Sequence, residues 1–351
     1  MKDYNFFNLP QEYGIGDYKN AIANIIKKYS NLRGLTSVYN WGDPSVPGIS
    51  DIDLVFVFKN DKAGRLPFFN RSFYFLDAKT RYLVRHAFVF IDEISFKKTR
   101  YIYPNANFRL LHGNSIKIGN LSPGEENDAN IALLNDIIIR HYPRDFLEQF
   151  ANRSINVRDT LLRLNSLKYS IRIMESLAKE KNAEWNNKLK LIESLRKNWF
   201  KEKDFDLLVS LNENAIHMAM EITGKFRNFL SKNNLVKILS GNNVRYSGIK
   251  NKSVFVKNWS KDKALQEMSE TAKNGHRFCS ILPIELAPQL AEYSRYDGPV
   301  SSHVRKNVNG NLDYQLKYKK ILENRIGILN SQAELALKLG HSDFAALFDF
   351  G

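Results

Sequence analysis

Apolar residues along this chain change their spacing several times. From Leu35 to Trp41 they outnumber the polar residues and from Leu54 to Phe58 they run unbroken, both segments rich in β-branched and aromatic side chains. Runs of that length and make-up are predicted as buried strands. Gly42 ends the first, and a loop rich in Pro, Ser and Gly leads to the second, which opens with Ser50-Asp51-Ile52-Asp53. Upstream, Ala21, Ile22, Ile25, Ile26 and Tyr29 recur at three- and four-residue intervals, predicting a helix over 17–30 with Asp17 as its N-cap. Downstream, the pattern predicts a polar turn at 59–65 and a helix near 69–80. A third strand is predicted over 82–91, then a strand and turn over 108–118, broken at His112-Gly113-Asn114.

Past the turn residues Leu121-Ser122-Pro123-Gly124 the period becomes helical, over 125–152, 156–181, 184–201 and 204–230, with Ser154 and Asn156 offering caps. Four such segments with short connections predict a bundle beside the sheet. From Leu235 short strands (236–239 and 253–256) surround Gly241-Asn242-Asn243. A helix over 261–272, an apolar run over 278–282 and a polar, loop-like stretch over 294–313 follow. An amphipathic helix over 312–339 and an apolar tail (Phe344, Leu347, Phe348, Phe350) that must pack somewhere close the chain. The chain contains no low-complexity tract and no internal repeat visible in its residues. These patterns predict an α+β protein in three parts: a sheet domain over 1–122, a helical domain over 123–234 and a C-terminal α+β region over 235–351.

Chemistry concentrates at the mouth of the second strand. Side chains at i and i+2 share a face of a strand, so Asp51 and Asp53 point the same way, their Cα atoms roughly 7 Å apart. Two carboxylates so close repel each other, and a divalent cation between them relieves the repulsion. A strand ending in glycine, a short loop, then Ser-Asp-x-Asp and an apolar strand resembles the signature of the DNA polymerase beta-like nucleotidyltransferases. The matching positions are Gly42, Ser50, Asp51, Asp53 and the strand from Leu54, and the resemblance covers the first third of the chain. It departs at Asp43, where the family usually carries Ser or Gly that would donate to a nucleotide phosphate.

The resemblance implies a mixed sheet with flanking helices and a metal-dependent enzyme. Such an enzyme moves NMP from an NTP to a hydroxyl acceptor and releases pyrophosphate. Asp51, Asp53 and a third carboxylate on a later strand would hold two Mg²⁺ ions, with Gly42 and Ser50 at the nucleotide. Asp92 is the favoured third ligand, with Glu93 beside it and His86 as an alternative. It also implies that the helical region walls the nucleotide cleft, where Arg158, Lys168, Arg172 and Lys179 recur near one helix face and Arg163 falls on another.

Charge widens the choice of partner. A net charge of +15 favours anions, whether nucleotides, nucleic acid or an anionic membrane surface. Its Lys and Arg are dispersed, and most aromatics sit in apolar runs, so a small or medium-sized acceptor is expected ahead of a long nucleic acid, with a glycan, a protein or an RNA end all open. A non-catalytic module that binds a nucleotide or a partner, and a basic nucleic-acid-binding protein, are the competing readings. The lone Cys279, in an apolar run, suits a buried thiol and excludes an internal disulfide. No signal-peptide pattern opens the sequence and no stretch has the ~20 apolar residues that span a bilayer, so a cytoplasmic setting is expected.

Overall fold

The structure, a computed structural model, describes residues 4–42, 44–247, 253–274 and 279–341. A short strand β1 (Asn5–Phe7) precedes helix α1 (Ile15–Tyr29). Gly14, not Asp17, is the N-cap; Asp17 is the third helical residue, and its carboxylate accepts the Gly14 N–H at 2.8 Å. Strands β2 (Leu35–Trp41) and β3 (Leu54–Phe58) lie where the apolar runs place them. Two single 3₁₀ turns, Phe68–Asn70 and Phe73–Phe75, replace most of the helix expected near 69–80.

Helix α2 (Ala78–Val84) takes the start of the expected 82–91 strand, because the Asp77 side chain accepts the Thr80 N–H at 2.9 Å and nucleates a helix there. It ends at Arg85, in the left-handed region with φ +66°, and strand β4 is only Val89–Asp92. Helix α3 (Glu93–Lys97) and strand β5 (Phe108–Gly113) complete this part. The sheet order is β4-β3-β2-β5, with β3 and β4 parallel and the other pairs antiparallel.

Strand β3 is buried on both faces, which is why its residues are apolar without alternation. Leu54, Phe56 and Phe58 pack with Tyr18, Ile25 and Tyr29 of α1, while Val55 and Val57 join the larger core formed with the helices. The helical part follows as α4 (Pro123–Arg140), α5 (Arg144–Ala151), strand β6 (Ser154–Asn156, parallel to β1), α6 (Val157–Ala178), α7 (Ala183–Glu202) and α8 (Phe205–Lys232), with the segment expected over 125–152 split in two at Pro143. Ser122 caps α4 in a capping box with Glu125, and Asn156 caps α6.

The C-terminal part holds β7 (Val236–Ser240), β8 (Asn243–Ser247), β9 (Ser253–Lys257), α9 (Lys261–Lys273), β10 (Cys279–Pro283), α10 (Ala287–Tyr293), α11 (Pro299–Asn307), β11 (Val308–Asn309), β12 (Asp313–Leu316) and α12 (Lys319–Leu339). The polar stretch 294–313 is thus not a loop. Asn330, on α12, accepts the Val300 and Ser301 N–H groups at 2.9 and 3.2 Å and so caps α11 from 29 to 30 residues away, which no local pattern reveals. α12 itself is shorter than the 312–339 helix expected, because β12 takes its first residues and pairs with β7. Leu335 and Leu339 of α12 then close the core under β3 and β4.

The sequence hides one regularity. The sheet β10-β9-β8-β11 has the strand order and directions of β4-β3-β2-β5: an antiparallel hairpin, a helical crossover to a parallel neighbour, and a last strand antiparallel to the first. Val254-Phe255-Val256 stands where Val55-Phe56-Val57 stands in the first sheet. Counting back from each Val-Phe-Val, Asp51 and Asp53 match Lys250 and Lys252 in sequence, so the second sheet lacks the carboxylate pair. Among the described residues, no helix is long and apolar enough to cross a membrane. The side chain of Cys279 and the apolar tail lie outside the described residues.

Candidate metal centre

The loop before β3 is braced on all sides. The Tyr18 hydroxyl donates to the Ser50 carbonyl at 2.5 Å and accepts the Gly48 N–H at 2.9 Å. The Tyr82 hydroxyl donates to the Gly48 carbonyl at 2.7 Å. Arg158, buried and lying 3.7 Å above the Tyr82 ring, donates to the carbonyls of Ile49 and Tyr82. Ser50 Oγ accepts the Val46 N–H at 3.1 Å and Arg196 Nη2 at 3.3 Å. Ser50 therefore braces the loop. Gly42 sits at φ +83°, a conformation that suits glycine, although a Cβ there would meet no atom. Asp43 lies outside the described residues.

Onto this frame the fold sets Asp51, Asp53 and His86. Strand β4 runs parallel to β3 with Val55 opposite Val89, so continuing the register sets the residues just before β4 beside those just before β3. His86 Nε2 lies 2.7 Å from Asp53 Oδ1 and 4.0 Å from Asp51 Oδ2. Its Nδ1 lies 2.8 Å from the Ala87 carbonyl oxygen. A carbonyl only accepts, so Nδ1 carries a proton and Nε2 is the nitrogen turned to the carboxylates. One donor atom from each of the three residues lies within 4.8 Å of the others, the only such group of His, Cys, Asp or Glu among the described residues.

Electrostatics follow from this crowding. Burial, then the charge of Asp53, raises the Asp51 carboxyl above its usual range. Burial pushes the His86 imidazole down, but the Asp53 hydrogen bond and the charges of Asp53 and Asp51 outweigh it and lift the group to about 9. Arg85 Nη1 stands 3.6 Å from Asp51, and its Nη2 pairs with Asp159 at 3.0 Å.

A cationic flank lies beside the carboxylates. Arg196 of α7 is buried, and that burial lowers it to about 10 against the opposing pull of Asp51. Lys168 is lowered by burial and by the charges of Arg196 and Arg172, and burial and the charge of Asp53 raise the Tyr169 hydroxyl. Arg196 Nε and Arg158 Nη2 are buried and find no hydrogen-bond partner among the described residues. Of the cations expected on α6, Lys168 and Arg172 belong to this electrostatic neighbourhood, while Arg158 is a loop brace. Lys179 terminates the helix at φ +54°, and Arg163 turns to Asp145 at 3.1 Å.

The favoured third carboxylate is not here. Asp92 pairs with Phe58, at the far end of β3, roughly 16 Å along the strand from Asp53. There its side chain accepts the Ile94 and Ser95 N–H groups, both at 2.9 Å, and the Ser331 hydroxyl at 2.7 Å. Burial alone would raise its carboxyl, but these hydrogen bonds outweigh it and hold the group below its usual range. Asp92 is a helix cap tying α12 to the sheet, and Glu93 begins the helix it caps. The sequence named His86 as the alternative and missed Arg85 and Arg196; Arg196 lies 146 residues from Ser50 and carries no local signal. No family model, curated protein or solved structure matches the chain.

Proposed function

We propose that the chain is a metal-dependent nucleotidyltransferase that moves NMP from an NTP to a hydroxyl-bearing acceptor of small or medium size and releases pyrophosphate. The observation that carries this reading is the meeting of Asp51, Asp53 and His86 at one strand mouth, with Arg196 bonded to Ser50 beside them. Two carboxylates and one imidazole are a mixed donor set that fits one divalent ion. It suits Mn²⁺ or another transition ion as well as Mg²⁺, which favours oxygen alone. The pair of Mg²⁺ ions expected from sequence needs a further carboxylate, and Asp92 does not supply it. A bound ion would neutralise triphosphate charge and lower the pKa of the acceptor hydroxyl.

The chain's own groups supply positioning. The Ala87 carbonyl fixes the His86 tautomer, so that Nε2 is the ligating atom. The positive charges of Arg196, Lys168 and Arg172 attract the triphosphate. The Tyr18, Tyr82 and Arg158 braces hold the Asp51 loop still, so little ordering cost remains at binding. The test is calorimetry of NTP binding with and without divalent metal, together with pyrophosphate release. The Asp51→Asn/Asp53→Asn variant is expected to stay folded and lose metal-dependent binding; unchanged binding in that variant would remove the assignment.

A second reading has its own support. Arg85 and His86 already offset the carboxylates without metal, as expected of a non-catalytic nucleotide- or partner-binding module. NTP binding that does not depend on metal would favour it.

A further inference from the structure

The two 3₁₀ turns before α2 expose aromatic rings that the site does not use. Phe68, Phe69, Tyr74 and Phe75 are 60%, 64%, 63% and 41% exposed. Phe68, Phe69 and Phe75 touch one another, with ring centroids 5.1 to 5.4 Å apart, so they form one patch on the surface. Exposed apolar residues are ordinary when scattered, but a contiguous aromatic cluster marks an interaction surface.

Its surroundings are basic. Between residues 62 and 81 stand Lys62, Arg65, Arg71, Lys79 and Arg81 against one acid, Asp77, which is occupied in capping α2; of the five, Lys79 is paired with Asp17 of α1. Arg71 donates to the Leu66 carbonyl at 2.8 Å, Arg81 to that of Tyr74 at 3.3 Å, and Lys28 of α1 to that of Phe75 at 3.4 Å. These bonds hold three cations around the rim of the aromatic patch. Aromatic rings ringed by cations match a bilayer surface, where rings enter the headgroup boundary and Lys and Arg meet anionic lipid.

We propose that this patch is a peripheral membrane-docking site: Phe68, Phe69 and Phe75 insert at the interface of an anionic bilayer, with Lys28, Arg71 and Arg81 on its phosphates. The net charge of +15 adds long-range attraction of the same sign. Helix α2 runs from this patch to Arg85 and His86, and its seven residues span about 10 Å. Docking would therefore hold the candidate metal centre near the lipid surface. The inference does not depend on the nucleotidyltransferase reading.

The experiment is co-sedimentation of the full chain with vesicles of phosphatidylcholine alone and of equimolar phosphatidylcholine and phosphatidylglycerol, across a salt series. Binding to the anionic vesicles only, weakening as salt rises, is expected. The Phe68→Ser/Phe69→Ser/Phe75→Ser variant replaces exposed rings, so circular dichroism should show it folded. It is expected to bind about tenfold more weakly or worse. Lys28→Gln/Arg81→Gln should weaken binding while leaving metal affinity unchanged. Failure of the wild-type chain to sediment with anionic vesicles, or equal binding by the triple serine variant, overturns the proposal. So does retention on polyglutamate without vesicle binding, which would assign the patch to an acidic protein. Vesicle binding that appears only after residues 342–351 are removed would assign the patch to the chain's own C-terminal residues, and likewise overturns it.

Discussion

Two side chains at opposite ends of one strand pair carry opposite duties. His86 follows a left-handed residue, Arg85, and its ring is oriented by the Ala87 carbonyl, so Nε2 faces two carboxylates and bonds to Asp53. Asp92, at the far end of β3, accepts from two backbone N–H groups and a hydroxyl, which makes it a cap. His86→Ala is accordingly expected to weaken Mn²⁺ binding about tenfold or more, with little change in stability. Asp92→Ala is expected to leave Mn²⁺ binding intact and to destabilise the fold by about 1–2 kcal/mol, through loss of the cap and of the Ser331 bond. Calorimetry and urea unfolding of both variants separate the two duties. Metal binding lost in Asp92→Ala and kept in His86→Ala would return the third-ligand role to Asp92.

At the scale of elements, legibility follows the range of the forces. Strand β3 was readable because burial on both faces demands an unbroken apolar run, β2 because β-branched and aromatic residues crowd it, and α1, α6 and α8 because burial of one face imposes a helical period. Asp51 and Asp53 were readable because both lie on one local motif. What brings His86 beside them is the parallel register of β3 and β4, a long-range pairing with no local sign. The capping of α11 by Asn330 and the repeated sheet topology were hidden for the same reason.

A cluster of nearer partners fastens α5 to α6. Asp145, buried, meets His141 and Arg163 at 3.1 Å and Arg144 at 3.6 Å. Burial would raise its carboxyl, but these partners outweigh it and hold the group well below the usual carboxylate range. A depressed folded pKa contributes stability that is complete above the unfolded value of about 3.9 and is lost as pH falls toward the folded one. Asp145→Asn should thus be less stable than wild type by about 3 kcal/mol at pH 7. The gap should shrink below about pH 4. Urea midpoints measured from pH 7 down to pH 3 give this difference directly, and a gap that stays constant in acid would show that the partners do not hold the charge.

Across the whole molecule, the parts read separately from the sequence are joined by one buried ionic cluster. Arg325 of α12 is fully buried and pairs with Asp136 of α4 at 2.5 Å. Its other nitrogens donate to the Tyr293 hydroxyl at 3.0 Å and to the carbonyls of Tyr101 and Ile102 at 2.6 and 2.9 Å. Gln289 of α10 donates to the same carboxylate, and the Tyr293 hydroxyl does so at 3.1 Å. The cluster therefore links the segment after α3, the first bundle helix and two C-terminal helices at a single point. Burial raises the Asp136 carboxyl, and the Arg325 charge opposes that rise. Removing Arg325 alone strands a carboxylate in the core, so Arg325→Met is expected to cost about 3–5 kcal/mol. Removing both charges strands nothing: Asp136→Leu/Arg325→Met should recover most of that loss, since an apolar pair avoids the cost of taking two ions out of water. The hydroxyl, amide and carbonyl partners left behind should keep the recovery incomplete. Urea unfolding of wild type, single and double variants decides the matter. Equal destabilisation of the single and double variants would mean that the carbonyl bonds to Tyr101 and Ile102, rather than the ion pair, hold the C-terminal helices to the first sheet.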